Sequence, residues 1–322
     1  MRSEPEVPSG SEVPAGPGVR SEPEALNGSR VPSRTSWLRR VLMLAVTAVL
    51  LVLTARLVGT EALLAGWDVL TPTTIAAALG CGLLVTLAQA LRWTLLAREK
   101  GIPMRYARAV ADCWSSSLGN MVLPGGIAGD AARVAVYRGA GDRRWWSPAA
   151  ALGAERLSST TLLLSLSAVI LAGISARLAV IAGAVAVLAL AAALACMRGT
   201  AVRTAVLVWG AAAVGVGALL GLYLIGMAEL GGPVTPGAAA VGLASMSVPL
   251  GVGGWGVREI SAGVLAGELA VTAEWAVTAA TAYGLLATIS TLPGAVTLLL
   301  AALRRRRPAA PAVRPSAPAP HR

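Results

Sequence analysis

Ser115-Ser116-Ser117-Leu118-Gly119-Asn120-Met121-Val122-Leu123-Pro124-Gly125-Gly126-Ile127-Ala128-Gly129-Asp130, with Arg133 close behind, is the stretch on which the fold turns. Small polar residues lead into an apolar run, a proline, a glycine cluster and an acid with an arginine nearby. The pattern returns as Ser245-Met246-Ser247-Val248-Pro249-Leu250-Gly251-Val252-Gly253-Gly254-Trp255-Gly256-Val257-Arg258-Glu259. Proline withdraws a backbone donor and glycine tolerates positive φ. A helix is therefore expected to stop and turn at Pro124, Gly125, Gly126 and Gly129, and again at Pro249, Gly251, Gly253, Gly254 and Gly256.

The surroundings make these breaks decisive. Of 322 residues, 56% are hydrophobic and 13% charged, with a net charge of +11; soluble domains carry roughly 25% charged residues. Such a balance excludes a soluble globular protein, and it excludes a nucleic-acid module, which keeps its charge on a solvated face. Six apolar stretches, at 38–58, 73–97, 147–174, 178–197, 203–226 and 275–303, are long enough to cross a hydrocarbon layer of roughly 30 Å. The expected fold is all-α and polytopic. It has six long spans plus two re-entrant or paired broken-helix blocks, 101–146 and 228–274, about eight spans in all.

Arginine placement sets the orientation, because short cytoplasmic loops collect basic residues. Arg34, Arg39, Arg40, Arg98, Lys100, Arg105, Arg108, Arg138, Arg143, Arg144, Arg198, Arg203 and Arg304 to Arg307 fall on one side, against Arg56 and Arg177 on the other. Both termini come out cytoplasmic in a cell membrane. The count holds only if each broken block begins and ends on its own face, the first cytoplasmic and the second outer. That is the pattern of an inverted repeat with discontinuous helices, whose breaks mark a binding site.

Ionisable residues lie at membrane depth beside the breaks: Asp130, Arg133, Glu155, Arg156, Arg258 and Glu259. A charge at the bilayer centre costs about 2.5–3.5 kcal/mol on insertion scales, so these six are expected to face each other or water. Helices restarting after the turns aim their positive dipole ends into the cavity, where anions are favoured. Asp130 and Glu259 could instead cap those termini, and the six could form a purely structural ion-pair network. Arg92, near the end of its span, reads as a snorkelling side chain.

Other chemistry finds little footing. The single histidine, His321, lies in a Pro/Ala tail, and Cys81, Cys113 and Cys196 stand singly, so neither a metal centre, a cofactor site nor a disulfide framework is expected. Residues 1–36 read as a disordered cytoplasmic tail, 37–303 as the membrane domain, and 304–322 as a basic, Pro/Ala-rich cytoplasmic tail.

The run from Asn120 through Leu123-Pro124-Gly125-Gly126 to Gly129-Asp130 and Arg133, the Glu155-Arg156 pair, and Pro249 through Gly253-Gly254-Trp255-Gly256-Val257-Arg258-Glu259 together resemble the flippase-like transmembrane region of lysylphosphatidylglycerol synthases and their stand-alone relatives. The resemblance implies a helical membrane domain that moves lipids with anionic or aminoacylated headgroups between leaflets. Its partners would be membrane lipids and an enzyme of lipid synthesis, with no nucleic acid. The cytoplasmic aminoacyl-transfer domain of the full-length synthases is not expected here, so no enzymatic activity is carried over. Asn120, Asp130, Arg133, Glu155, Arg156, Arg258 and Glu259 become the candidate binding residues. The alternatives are an accessory or scaffold protein of a lipid or envelope pathway and a lipid-phosphate transferase. The transferase lacks a histidine, a metal-ligand cluster and a nucleotide fingerprint.

Overall fold

Thr71 and Pro72 begin the first long helix, both for local reasons. Thr71 Oγ1 accepts from the Thr74 N–H at 3.3 Å, Thr74 Oγ1 accepts from the Thr71 N–H at 3.1 Å, and proline brings a φ already suited to the first turn. The computed structural model describes residues 59–138 except Pro124, 146–248, 252–305 and scattered helical positions between 41 and 56. Every regular element among the described residues is helical.

A short helix α1 (Thr60–Ala65) and a 3-10 turn (Gly66–Val69) precede α2 (Pro72–Glu99). Next come α3 (Tyr106–Val122), α4 (Ala128–Val136), α5 (Ser147–Ala172), α6 (Ala176–Cys196), α7 (Val202–Glu229), α8 (Pro236–Ser245), α9 (Val257–Leu265), α10 (Ala273–Thr291) and α11 (Pro293–Arg305). Four of these, α2, α5, α6 and α7, and the run Ala273–Leu303 made by α10 and most of α11, are long and apolar enough to cross a membrane. They correspond to five of the six expected spans. Most of the sixth, 38–58, lies outside the described residues, as do the 1–36 tail and everything beyond Arg305. The last span is not one rod: α10 closes at Leu292 and α11 restarts at Pro293, which cannot continue the hydrogen-bond ladder.

Membrane helices gain little from hydrophobicity when they meet, so small residues decide which face turns inward. On α6, Ala182, Ala186, Ala189 and Ala193 are buried, while Val180, Val187 and Leu188 point outward. Thus α5 and α6 close into a tight hairpin through the Gly173–Ser175 turn. The core is α10, buried along most of its length, against which α2, α7, α9 and the α1 segment pack. At one end of the bundle Lys100 Nζ donates to the Arg198 carbonyl at 3.0 Å and Thr204 Oγ1 to Glu99 Oε1 at 2.7 Å. The other end joins Ser175 Oγ to Glu268 Oε2 at 2.8 Å and Trp275 Nε1 to the Pro233 carbonyl at 3.1 Å.

Both blocks are broken helix pairs. α3 stops at Val122, the chain turns through Gly125 and Gly126 at φ +88° and +62°, and α4 folds back onto α3. In the second block α8 ends at Ser245, Gly253, Gly254 and Gly256 take φ of +58°, +80° and +85°, and α9 folds back onto α8. α4, α8 and α9 have 9, 10 and 9 residues, about half the length a crossing needs. Pro124, Pro249 and Gly251 lie outside the described residues. The two turns touch, for Gly253 packs on the Met121 carbonyl with no room for a Cβ.

Candidate functional site

Glycine places the first acid. Gly119 and Gly129 meet where α3 crosses α4, and a Cβ on Gly129 would overlap the Ser116 carbonyl. At that separation Ser116 Oγ donates to Asp130 Oδ1 at 2.6 Å, and the Asp130 N–H donates to Asn120 Oδ1 at 3.2 Å. Asn120 therefore caps α4 from the neighbouring helix, leaving the Asp130 carboxylate free for arginines.

Those arginines arrive on three helices. Arg156 of α5 donates from Nη2 to Asp130 Oδ1 at 2.8 Å, and its Nε lies in ion-pair contact with Oδ2 without a hydrogen bond of its own. Arg133 Nη2 reaches Asp130 Oδ1 at 3.2 Å and Glu155 Oε1 at 3.0 Å, Nη1 donates to Cys113 Sγ at 2.9 Å, and the guanidinium lies 4.7 Å from the Trp93 ring centroid. Glu155 Oε1 also accepts from Gln89 Nε2 at 2.9 Å. Arg92 Nη1 donates to the Glu155 carbonyl at 2.8 Å and to Ser159 Oγ. Two arginines thus pair with the two carboxylates while Arg92 meets only a main-chain carbonyl and a hydroxyl, and the cluster keeps one excess positive charge. Arg92, Asp130, Arg133 and Glu155 are buried, whereas the Arg156 side chain is 43% exposed.

Arg92 corrects an expectation. It does not snorkel, because α2 turns it inward, with Gln89 and Trp93 at helical spacing, against α5. Gln89 and Arg92 are the residues that sequence reasoning missed. The available signal was an arginine and a glutamine one turn apart within an otherwise apolar span, where an arginine without a partner is costly.

The second ionic pair is separate. Glu259 Oε2 accepts from the Gly256 N–H at 2.7 Å, closing the first turn of α9, and its Oε1 takes the Arg258 Nη2. The Arg258 guanidinium lies 5.0 Å from the Trp255 ring and 5.7 Å from Tyr283, seated on Gly284, where any Cβ would occupy the same space. Tyr283 in turn stacks on Tyr223 with centroids 4.6 Å apart. Arg258 and Glu259 are both fully buried. Glu259 takes the capping role, while Asp130, the stronger candidate for it in sequence, is drawn into the arginine cluster.

Between the two groups lies a cavity of about 260 Å³. The first break contributes Ser117, Asn120 and Gly126, the second contributes Met246, Ser247 and Gly254, and Tyr283 and Ser290 of α10 close it. Arg156 is the charged side chain on its wall among the described residues. Asp130, Arg133 and Glu155 stand behind Arg156, and Arg258, held by Glu259, meets Tyr283 from outside the cavity. Among the described residues, no three His, Cys, Asp or Glu side chains converge as a metal site requires.

The family model described as the lysylphosphatidylglycerol synthase TM region matches residues 40–229. No curated protein matches the chain, and no solved structure does. The matched segment holds the first broken pair and the whole arginine cluster. It stops at the end of α7, before the second pair.

Proposed function

The chain belongs to the lysylphosphatidylglycerol synthase transmembrane-region family, and from that premise we propose that it translocates lipids with an anionic or aminoacylated phosphate headgroup through the cavity between its two broken helix pairs. Family membership supports a role in lipid metabolism or transport. The finer reading rests on Arg156.

One observation carries it: the cluster behind the cavity holds one uncompensated positive charge, and the arginine that bears on the cavity is the exposed one. A cation held at membrane depth is costly unless an anion meets it. Guanidinium offers a planar fork to phosphate oxygens. Gly126 and Ile127 line the cavity at the start of α4, where Asn120 takes the Asp130 N–H and the positive end of the helix dipole favours the same anion. A cavity of about 260 Å³ suits a headgroup, leaving the acyl chains in the bilayer. Asp130, Arg133, Glu155 and Asn120 hold Arg156 in place. The Arg258–Glu259 pair holds the opposite wall by fixing Tyr283 against the second turn. We read the protein as a translocator in the cell membrane with both termini cytoplasmic, a non-enzymatic role beside an enzyme of lipid synthesis.

The test is the leaflet distribution of a fluorescent phosphatidylglycerol in vesicles holding the purified full chain. Arg156→Gln should slow its transfer about tenfold or more, the loss of one charge-assisted pair to phosphate, with Arg156→Lys between the two. An unchanged rate with Arg156→Gln would refute the translocation site and favour the accessory-protein reading.

A further inference from the structure

The cavity is not the largest concavity of the molecule. Helices α3 and α11 run side by side in opposite directions, and their seam leads from the cavity toward the arginine-rich end. Ser117 and Asn120 of α3, and Ser290 and Thr291 just before α11, face the cavity. Midway the seam is shut: Trp114 Nε1 donates to the Ser290 carbonyl at 3.4 Å, Ser115 Oγ and Thr297 Oγ1 share a hydrogen bond of 2.7 Å, and Gly294 packs on the Trp114 carbonyl. Beyond that closure the helices part around an open groove of about 750 Å³, floored by Ala107, Ala111, Leu300 and Ala301 and rimmed by Arg105 and Arg108. Six helical steps along α3, from Ala111 to Ser117, separate groove from cavity, about 9 Å at the helical rise.

Groove chemistry is that of a lipid with a negative head. Arg108 is 57% exposed and shares part of its charge with Asp112 at 2.9 Å. Arg105 is exposed, no ion pair engages it among the described residues, and it precedes an α3 N-terminus that has no side-chain cap. Beside the groove, Val296, Leu299 and Leu303 of α11 are exposed and apolar, as at a lipid-facing surface.

We propose that the groove docks an anionic phospholipid from the leaflet on the arginine-rich face, and that the seam passes its head on to the cavity. The phosphate sits at Arg105 and Arg108, and an acyl chain lies along Ala111, Leu300 and Ala301. Loading of the cavity rests on the translocation reading; docking does not. The seam opens by parting the Ser115–Thr297 hydrogen bond and lifting α11 from Trp114, a movement hinged at Leu292-Pro293, where α10 and α11 already break.

Photolabelling tests both halves. The full chain is placed in phosphatidylcholine vesicles carrying a small fraction of either phosphatidylglycerol or phosphatidylcholine with a diazirine in one acyl chain, and labelled peptides are mapped by mass spectrometry. Residues 106–111 and 296–303 should label several-fold more with the phosphatidylglycerol probe. The preference should fall about fivefold for each arginine removed in Arg105→Gln and Arg105→Gln/Arg108→Gln. Leu300→Trp, which fills the groove and leaves its charge alone, should lower labelling by both probes and stands in if the double variant fails to fold. Labels confined to other helices, equal labelling by both probes, or labelling indifferent to these variants would overturn the docking site. Arg156→Gln should keep the groove labelling, so loss of transport with labelling intact separates a failure of the cavity from a failure of the groove. If Arg105→Gln leaves the transport rate unchanged at limiting phosphatidylglycerol, loading through the groove is refuted.

Discussion

Replacing Arg258 by methionine should loosen the second broken pair instead of silencing a contact with substrate. Glu259 is 0% exposed, and without Arg258 its carboxylate keeps only the Gly256 N–H. Stranding one member of a buried ion pair costs about 3–5 kcal/mol. Losing a desolvated guanidinium from the faces of Trp255 and Tyr283 adds about 1–2 kcal/mol, and the methionine side chain recovers part of the packing. The net loss of about 4 kcal/mol is a large share of a typical stability of roughly 5–15 kcal/mol. Arg258→Met/Glu259→Gln removes both charges, while the amide oxygen introduced by Glu259→Gln still accepts from the Gly256 N–H. Most of the loss should return, giving a coupling of about 2–3 kcal/mol in the double-mutant cycle. Thermal melting of the purified full chain in one fixed detergent reads this directly. The single variant should melt on the order of 10 °C lower, and the double variant within a few degrees of the native chain. A native-like midpoint for Arg258→Met, or a double variant no better than the single, would refute the idea that this pair holds the wall of the cavity.

The remaining expectations concern the first pair and the cavity. Arg92→Met takes away the excess positive charge without touching the cavity wall, so transport of labelled phosphatidylglycerol should drop while Arg92→Lys retains more of it; equal rates would show that net cluster charge is irrelevant. Gly129→Ala drives a methyl into the Ser116 carbonyl and should cost about 1–3 kcal/mol in melting experiments. Gly126→Ala meets nothing within 4 Å and should cost only its left-handed backbone, about 1–2 kcal/mol. Ser117→Cys and Ser247→Cys, in a background lacking Cys81, Cys113 and Cys196, should both react with small water-soluble thiol reagents; protection of both would mean a dry, sealed void.

Much of this architecture was readable before any coordinates. The chain breaks at Gly125 and Gly126 and again at Gly253, Gly254 and Gly256, because positive φ acts locally and needs no partner, whereas Gly129, also expected to break the helix, lies in the first turn of α4. Five expected spans match long helices for the same reason: length and apolarity belong to the segment itself. The first four flagged charges also met, since buried charges must pair. What failed was direction. Arg92 was assigned to the membrane surface because distance from the span end says nothing about which way a helix is rotated. Asp130 is the better capping candidate in sequence because Glu259 stands beside Arg258, yet only Glu259 caps, because Gly129 brings Asp130 against Ser116 and within reach of Arg156.

The sequence by itself determined that this chain is a helical membrane protein, where its helices break, and that ionisable groups lie at depth beside the breaks. Only the tertiary structure decided that Arg156 faces the cavity while Arg133 and Glu155 stand behind it, and that Arg258 and Glu259 brace the far wall unseen. The reason is physical. Spans that are apolar on nearly every side carry no stripe to announce their inner face, so rotation is set by where glycine and alanine allow backbones to approach and by which distant charge fills the remaining gap.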